Sequence, residues 1–329
     1  MKKALIVIVA LALLFFMGPK VEQPSVDGKV PEEFEEVDLG LLNEQISNSE
    51  KNTDFIKPDN ESRIIFADSI PEKTEFVLLY IHGFSASPHE GYPLNEDFAQ
   101  RYHMNAYFPR LHEHGLETPH NLLDMTPDKL IESSKDALKV ARQLGDKVIL
   151  MSTSTGGTLS LILAADNPDI AGVILYSPNI EMAEDMTKML TFPWGLQIGK
   201  LAQGEMIEYP DDPPLVSKYW QSTYRVEAVA YLQSLVENTM TIRTFEKVTQ
   251  PIFLGYYFKD AEHQDGTVKV SAMLDMYEHL GTPENQKIKY AFTEVGVHPL
   301  ASDIKSKDIA SVKRETFKFA EEILQINPN

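Results

Sequence analysis

The sequence predicts a layered α/β fold with a mostly parallel sheet, and three observations lead there. Strand-length apolar runs recur along the chain, helical patterns lie between them, and several runs are apolar almost throughout, as in strands covered on both faces. With 329 residues, 43% of them hydrophobic, the chain has the apolar surface for one large domain, or for one domain with an insertion.

Taken in order, the first eighteen residues, "MKKALIVIVALALLFFMG", place Lys2 and Lys3 before an uncharged apolar run. That is the charged and apolar halves of an export signal. No small-x-small cleavage pattern ends it, and as a helix fifteen residues reach only roughly 22 Å. The expectation is an exported protein of the cell envelope or periplasm, with segment 1–18 as an export signal or, uncleaved, a membrane tether. Residues 19–60 are rich in Pro, Glu, Asn, Ser and Lys and read as a linker or loosely attached arm, with "EEFEE" (32–36) as a solvated acidic face.

The domain proper is expected over 61–329. Its strands are read at 63–68, 75–82, 105–110, 147–151, 172–177, 251–258 and 287–292. The helix 127–144 opens with Thr126 as N-cap, Pro127 at the first helical position and Asp128 in the first turn. Further helices are read at 155–166, 269–280 and about 303–325. The stretch of about 180–249 breaks the alternation. It is Met-rich and aromatic with helical patterning and no clear strand, and is too long for a plain crossover, so it reads as an inserted helical lid.

Composition narrows the function. Asp and Glu total 49 against 30 Lys and Arg, a net charge of -19, which repels nucleic acid and anionic lipid. There is no cysteine, so disulfides, thiolate catalysis and Cys-based metal sites are excluded.

The chemistry points to "VILMSTSTGGT" (148–158), where a strand ends in a polar turn and a helix begins. A turn this sharp strains its central residue, Ser154, and lifts the side chain clear of the sheet. Gly156 and Gly157 supply the small residues beyond it, while Ser152 stands where the G-x-S-x-G elbow has its first glycine. A serine hydroxyl needs a base, and His298 in "TEVGVHPLAS" follows the last strand. The base needs an acid to fix its tautomer. Asp260 and Asp265 both qualify, and Asp265 is preferred because an acid followed by a valine and then a helix is the arrangement met in this fold. An oxyanion hole is expected from the Phe84 N–H in "YIHGFSASPHEG" and the Thr155 N–H beside the nucleophile.

The chain order Ser154, Asp265, His298 is that of nucleophile, acid and base in α/β-hydrolases. Over roughly residues 62–327 the sequence resembles that superfamily. "HGFSASPHEG" and "FPRLHEHG" look like its bacterial carboxylesterases and monoacylglycerol-lipase-like members. The resemblance implies an eight-stranded, mostly parallel sheet, a helical cap after the sixth strand, ester hydrolysis through a serine triad, and no cofactor.

Blander readings stand beside these. His82 is read as structural, bonding loop backbone. In His112-Glu113-His114 the two histidines could share a face, but no third ligand is spaced nearby, so no metal site is expected. Phe192, Trp194, Tyr219 and Trp220 line an acyl pocket or form the core of the lid. The leading reading is a serine esterase, a carboxylesterase or a lipase of small acylglycerols, taking a small-molecule ester. The rivals are a peptidase or acyltransferase with the same triad, and a non-catalytic binding protein of this fold at the cell envelope.

Overall fold

The computed structural model describes residues 13–31 and 35–329. Seven strands form the main sheet: β1 (Arg63–Ile65), β2 (Thr74–Ile81), β3 (Asn105–Phe108), β4 (Gly145–Thr153), β5 (Gly172–Tyr176), β8 (Ile252–Tyr257) and β9 (Lys287–Phe292). Their order is β1-β3-β2-β4-β5-β8-β9, antiparallel only where β1 meets β3. All seven runs read as strands are therefore strands. The eighth strand implied by the resemblance is not among the described residues of this sheet.

Side chains alternate across the sheet as the period of two requires. Val77, Leu79 and Ile81 of β2 join Val148, Leu150, Val173 and Leu175 in one core. Helices α3 (Pro127–Leu144) and α4 (Thr155–Asp166) cover that face through Leu130, Leu138, Leu159 and Leu163. Leu78, Tyr80, Ile149, Met151, Ile174 and Tyr176 enter the opposite core, under α2 (Leu94–Arg101) and α10 (Ile309–Glu322). The central strands are thus buried on both sides, which is why their sequence carries no polar alternation.

Helix α3 starts as its cap residues dictate, with the Thr126 hydroxyl accepting the Lys129 N–H. The last helix is shorter than its pattern, beginning only at Ile309 behind the capping Asp308. Helix α9 is likewise trimmed to Val270–Glu278.

Of the stretch read as a loose arm, residues 19–31 and 35–60 are laid along the domain and include α1 (Leu39–Lys51), while residues 32–34 of the acidic face lie outside the described residues. The Ser25 and Val26 N–H groups donate to Asp128 at the start of α3. Val21 and Val30 are buried, and the Arg142 guanidinium donates to the carbonyls of Val30 and Pro31 while pairing with Asp169. Leu39 is buried against the domain as well, while Val37, Leu41 and Phe55 stay exposed.

The insertion differs in one respect from its expected all-helical form. Besides α5 (Gly195–Gln203), α6 (Pro214–Tyr219) and α7 (Val226–Thr239), it holds a two-stranded antiparallel ribbon, β6 (Met206–Glu208) with β7 (Thr223–Arg225). Each strand has three residues, too few for a periodicity to show. Helix α8 (Ile242–Lys247) returns the chain to β8.

Of segment 1–18, residues 1–12 lie outside the described residues. Leu13 to Met17 are exposed, and the Leu14 and Pro19 carbonyls accept the Trp194 indole and backbone N–H. No helix among the described residues is long and apolar enough to cross a membrane.

Candidate active site

Ser154 sits between β4 and α4 with φ 55° and ψ -119°, a region that disfavours any side chain. Such a conformation costs about 1–3 kcal/mol and persists only where neighbours impose it. Here the Ser154 N–H donates to the Tyr176 carbonyl, and its own carbonyl accepts from Gly157, Thr158 and Asn179. A Cβ on Gly156 would stand 2.0 Å from the Ile81 carbonyl oxygen, so only glycine fits there. Ser152, the departure from the usual elbow, is fully buried on β4 with its Oγ 3.5 Å from the Ile174 carbonyl. Its small hydroxymethyl group fills the place without displacing the turn.

The loop after β8 carries both candidate acids, and they part company. Asp265 is buried, its Oδ1 accepting the Thr267 and Val268 N–H groups at 2.9 and 3.1 Å. Its Oδ2 lies 2.7 Å from Nδ1 of His298. Burial pushes this carboxyl up, but the facing imidazole and the two amides more than offset it, leaving it below the ordinary aspartate value. Asp260 is exposed and engages His263 instead. The acid on His298 is Asp265.

A carboxylate at Nδ1 takes the proton there and leaves Nε2 with its lone pair. That Nε2 is buried and has no hydrogen-bond partner among the described residues. His298 and Ser154 line one cavity of about 910 Å³. Phe84 and Thr155 line it too, and neither backbone N–H has an acceptor among the described residues. Thr155 is the first residue of α4, where amides point out of the helix unpaired. The Phe84 ring is held edge-on by Tyr224, their centroids 4.9 Å apart.

His82 stiffens the exit from β2. Its Nδ1 bonds the Gly83 carbonyl and its Nε2 accepts the Leu111 N–H, with burial holding the ring well below the ordinary histidine value. His114 packs against it, centroids 5.0 Å apart, with its Nδ1 on the His112 carbonyl. The grouping that does form at the surface is His112, Glu113 and Asp124, with ligand atoms within 4.8 Å of one another, but Lys129 already binds Asp124.

The four lid aromatics divide. Phe192 and Trp220 line the cavity, together with Met182, Leu190, Ile207 and Val229. Tyr219 instead stacks on His89 at 3.8 Å, and Trp194 meets the N-terminal segment. Among the cavity residues that the sequence reading passed over is a buried acid. Glu90 is 2% exposed and accepts the Gly83 N–H at 2.6 Å. The only signal for it was an acid inside a Pro-His-Glu-Gly turn, where acids are ordinarily solvated.

No family model matches the chain. Over 98 residues it is 32% identical to a thermostable monoacylglycerol lipase of Bacillus sp. (strain H-257), which is 30% of this chain. The chain spans 38% of the length of that curated relative. Among solved structures it is similar to one from a study of two metagenome-derived lipolytic enzymes, with TM-score 0.63 and 18% identity over 80% of this chain and 98% of that one. It is also similar to a monoacylglycerol lipase of Paleococcus ferrophilus, with TM-score 0.58 and 14% identity over 81% and 98%. Est1E from Butyrivibrio proteoclasticus with ferulic acid bound gives TM-score 0.52 and 17% identity over 80% and 95%. The chain has the α/β-hydrolase fold.

Proposed function

We propose that this protein is a serine hydrolase of carboxylic esters, a carboxylesterase or a lipase of small acylglycerols. One observation carries the reading. A half-buried imidazole, oriented by a buried carboxylate, keeps a buried, unpaired Nε2 in the cavity that the strained serine lines.

Ser154 Oγ attacks the ester carbonyl carbon as His298 Nε2 takes its proton. The electron pair moves to the carbonyl oxygen, which the Phe84 and Thr155 N–H groups receive. Collapse of the tetrahedral species breaks the bond to the alcohol oxygen, and His298 returns the proton to it. The acyl group remains on Ser154. A water activated by the same Nε2 then attacks, releasing the acid and restoring the serine. Asp265 stays ionised throughout and balances the imidazolium in both steps.

The lipolytic and monoacylglycerol-lipase character of the similar proteins supports the ester over other acyl derivatives. The apolar wall of Met182, Leu190, Ile207 and Val229 suits an acyl chain. The non-catalytic alternative leaves the oriented imidazole and its unpaired Nε2 without a purpose.

The test is labelling by a fluorophosphonate together with turnover of p-nitrophenyl esters of graded chain length. Both are expected of the wild-type chain, and Ser154→Ala should lose labelling while keeping its fold. Folded wild-type protein that neither labels nor turns over any ester ends this reading.

A further inference from the structure

The cavity wall contains a carboxyl that the chemistry above does not use. Glu90 lies in the short 3-10 turn Pro88–Gly91, and its Oε2 accepts the Gly83 N–H at 2.6 Å. A Cβ placed on Gly83 would meet Ser154 Cβ at 3.0 Å and both Glu90 oxygens at 3.2 Å. The carboxyl and the nucleophile therefore crowd the same backbone atom. The next peptide along, Gly83–Phe84, presents the N–H assigned to the oxyanion.

The groups facing Glu90 come from four elements. Tyr80 approaches from β2, His298 from the loop after β9, Lys305 from the segment beyond it, and Trp220 from the insertion. The Lys305 ammonium rests over the Trp220 ring at 4.4 Å and makes no ion pair among the described residues. Burial pushes the Glu90 carboxyl up to about 7, against the pull of the Gly83 amide, His298, Lys305 and Trp220.

We propose that Glu90 is a positioning residue for acyl transfer at Ser154. Through the Gly83 N–H it sets the peptide whose Phe84 N–H receives the oxyanion, and its ionisation slows the reaction by placing negative charge beside that oxyanion. The proposal rests on the ester-hydrolase reading. Either protonation state keeps an acceptor at Oε2, so titration changes the charge without releasing the loop. An anion here has opposite effects on the two charges of the transition state. The imidazolium already has Asp265 in contact at 2.7 Å, so a second anion adds little to it. The oxyanion has only neutral N–H donors, so the added charge opposes it uncompensated.

The experiment compares wild type, Glu90→Gln and Glu90→Ala, with kcat and KM for p-nitrophenyl acetate measured from about pH 5.5 to 9. Glutamine keeps the acceptor without the charge. It should match wild type at the acid end, exceed it at the alkaline end, and lack the wild-type inflection near 7. Alanine should lose about 10- to 100-fold in kcat at every pH, with KM within about twofold. A second readout needs no activity. A carboxyl raised on folding stabilises fully below its unfolded value and loses that contribution as pH rises through its folded value. The melting temperature of wild type should therefore fall relative to Glu90→Gln between about pH 4.5 and about 7. Should Glu90→Ala not fold, the glutamine profile decides alone. Variants with wild-type kcat and an unchanged pH profile overturn the proposal. Wild type that turns over no ester is a different result, and it removes the ester reading beneath it.

Discussion

Asp265 and Asp260 are five positions apart on one loop, yet only one touches the imidazole. Asp265→Asn should keep the packing but put an amide where a charge balanced His298. A drop in kcat of about 10³–10⁴ is expected, read by ester turnover at neutral pH. Asp260→Asn, at an exposed position, should stay within about twofold of wild type. Asp265 also has a stability signature. Its carboxyl is depressed on folding, so it stabilises above the unfolded aspartate value and that contribution is lost as pH falls through the lower folded value. The asparagine variant should show a shallower loss of melting temperature in acid. At this scale the sequence was legible where geometry forces a residue type, as at Gly156 and Ser154. Glu90 was illegible because nothing in a single acid reveals that its turn folds inward.

Among the elements, α3 shows how local signals and tertiary contacts divide the work. Its start was readable from Thr126 and Pro127, and its buried face from Leu130, Leu138 and Ala141. What the helix holds was not readable. Arg142 near its end is 6% exposed and ties the extended residues Val30 and Pro31 to Asp169. Arg142→Ala leaves two carbonyls of the arm without their donor and should destabilise by about 2–3 kcal/mol, measured by denaturant unfolding. The arm looked loose because its apolar residues follow no period; it is fixed by side chains from elsewhere in the chain. The ribbon β6–β7 was hidden for a related reason, since three-residue strands carry too little pattern to be told from loop.

At the scale of the molecule, the parallel sheet was legible because burial on both faces writes itself into the sequence as unbroken apolar runs. Strand order was not, since order depends on which runs meet in space. That order matters. The serine hangs from β4, fourth of seven and flanked by β2 and β5, whereas the imidazole follows β9 at the border of the sheet. If that border opened first, His298 would part from Ser154 while the middle strands stayed paired. In rising urea, fluorophosphonate labelling should fade before the far-ultraviolet dichroism does, and dilution should restore it. On the proposed mechanism, the two halves of the reaction hang from strands of unequal shelter, and mild stress is expected to silence the protein before destroying it.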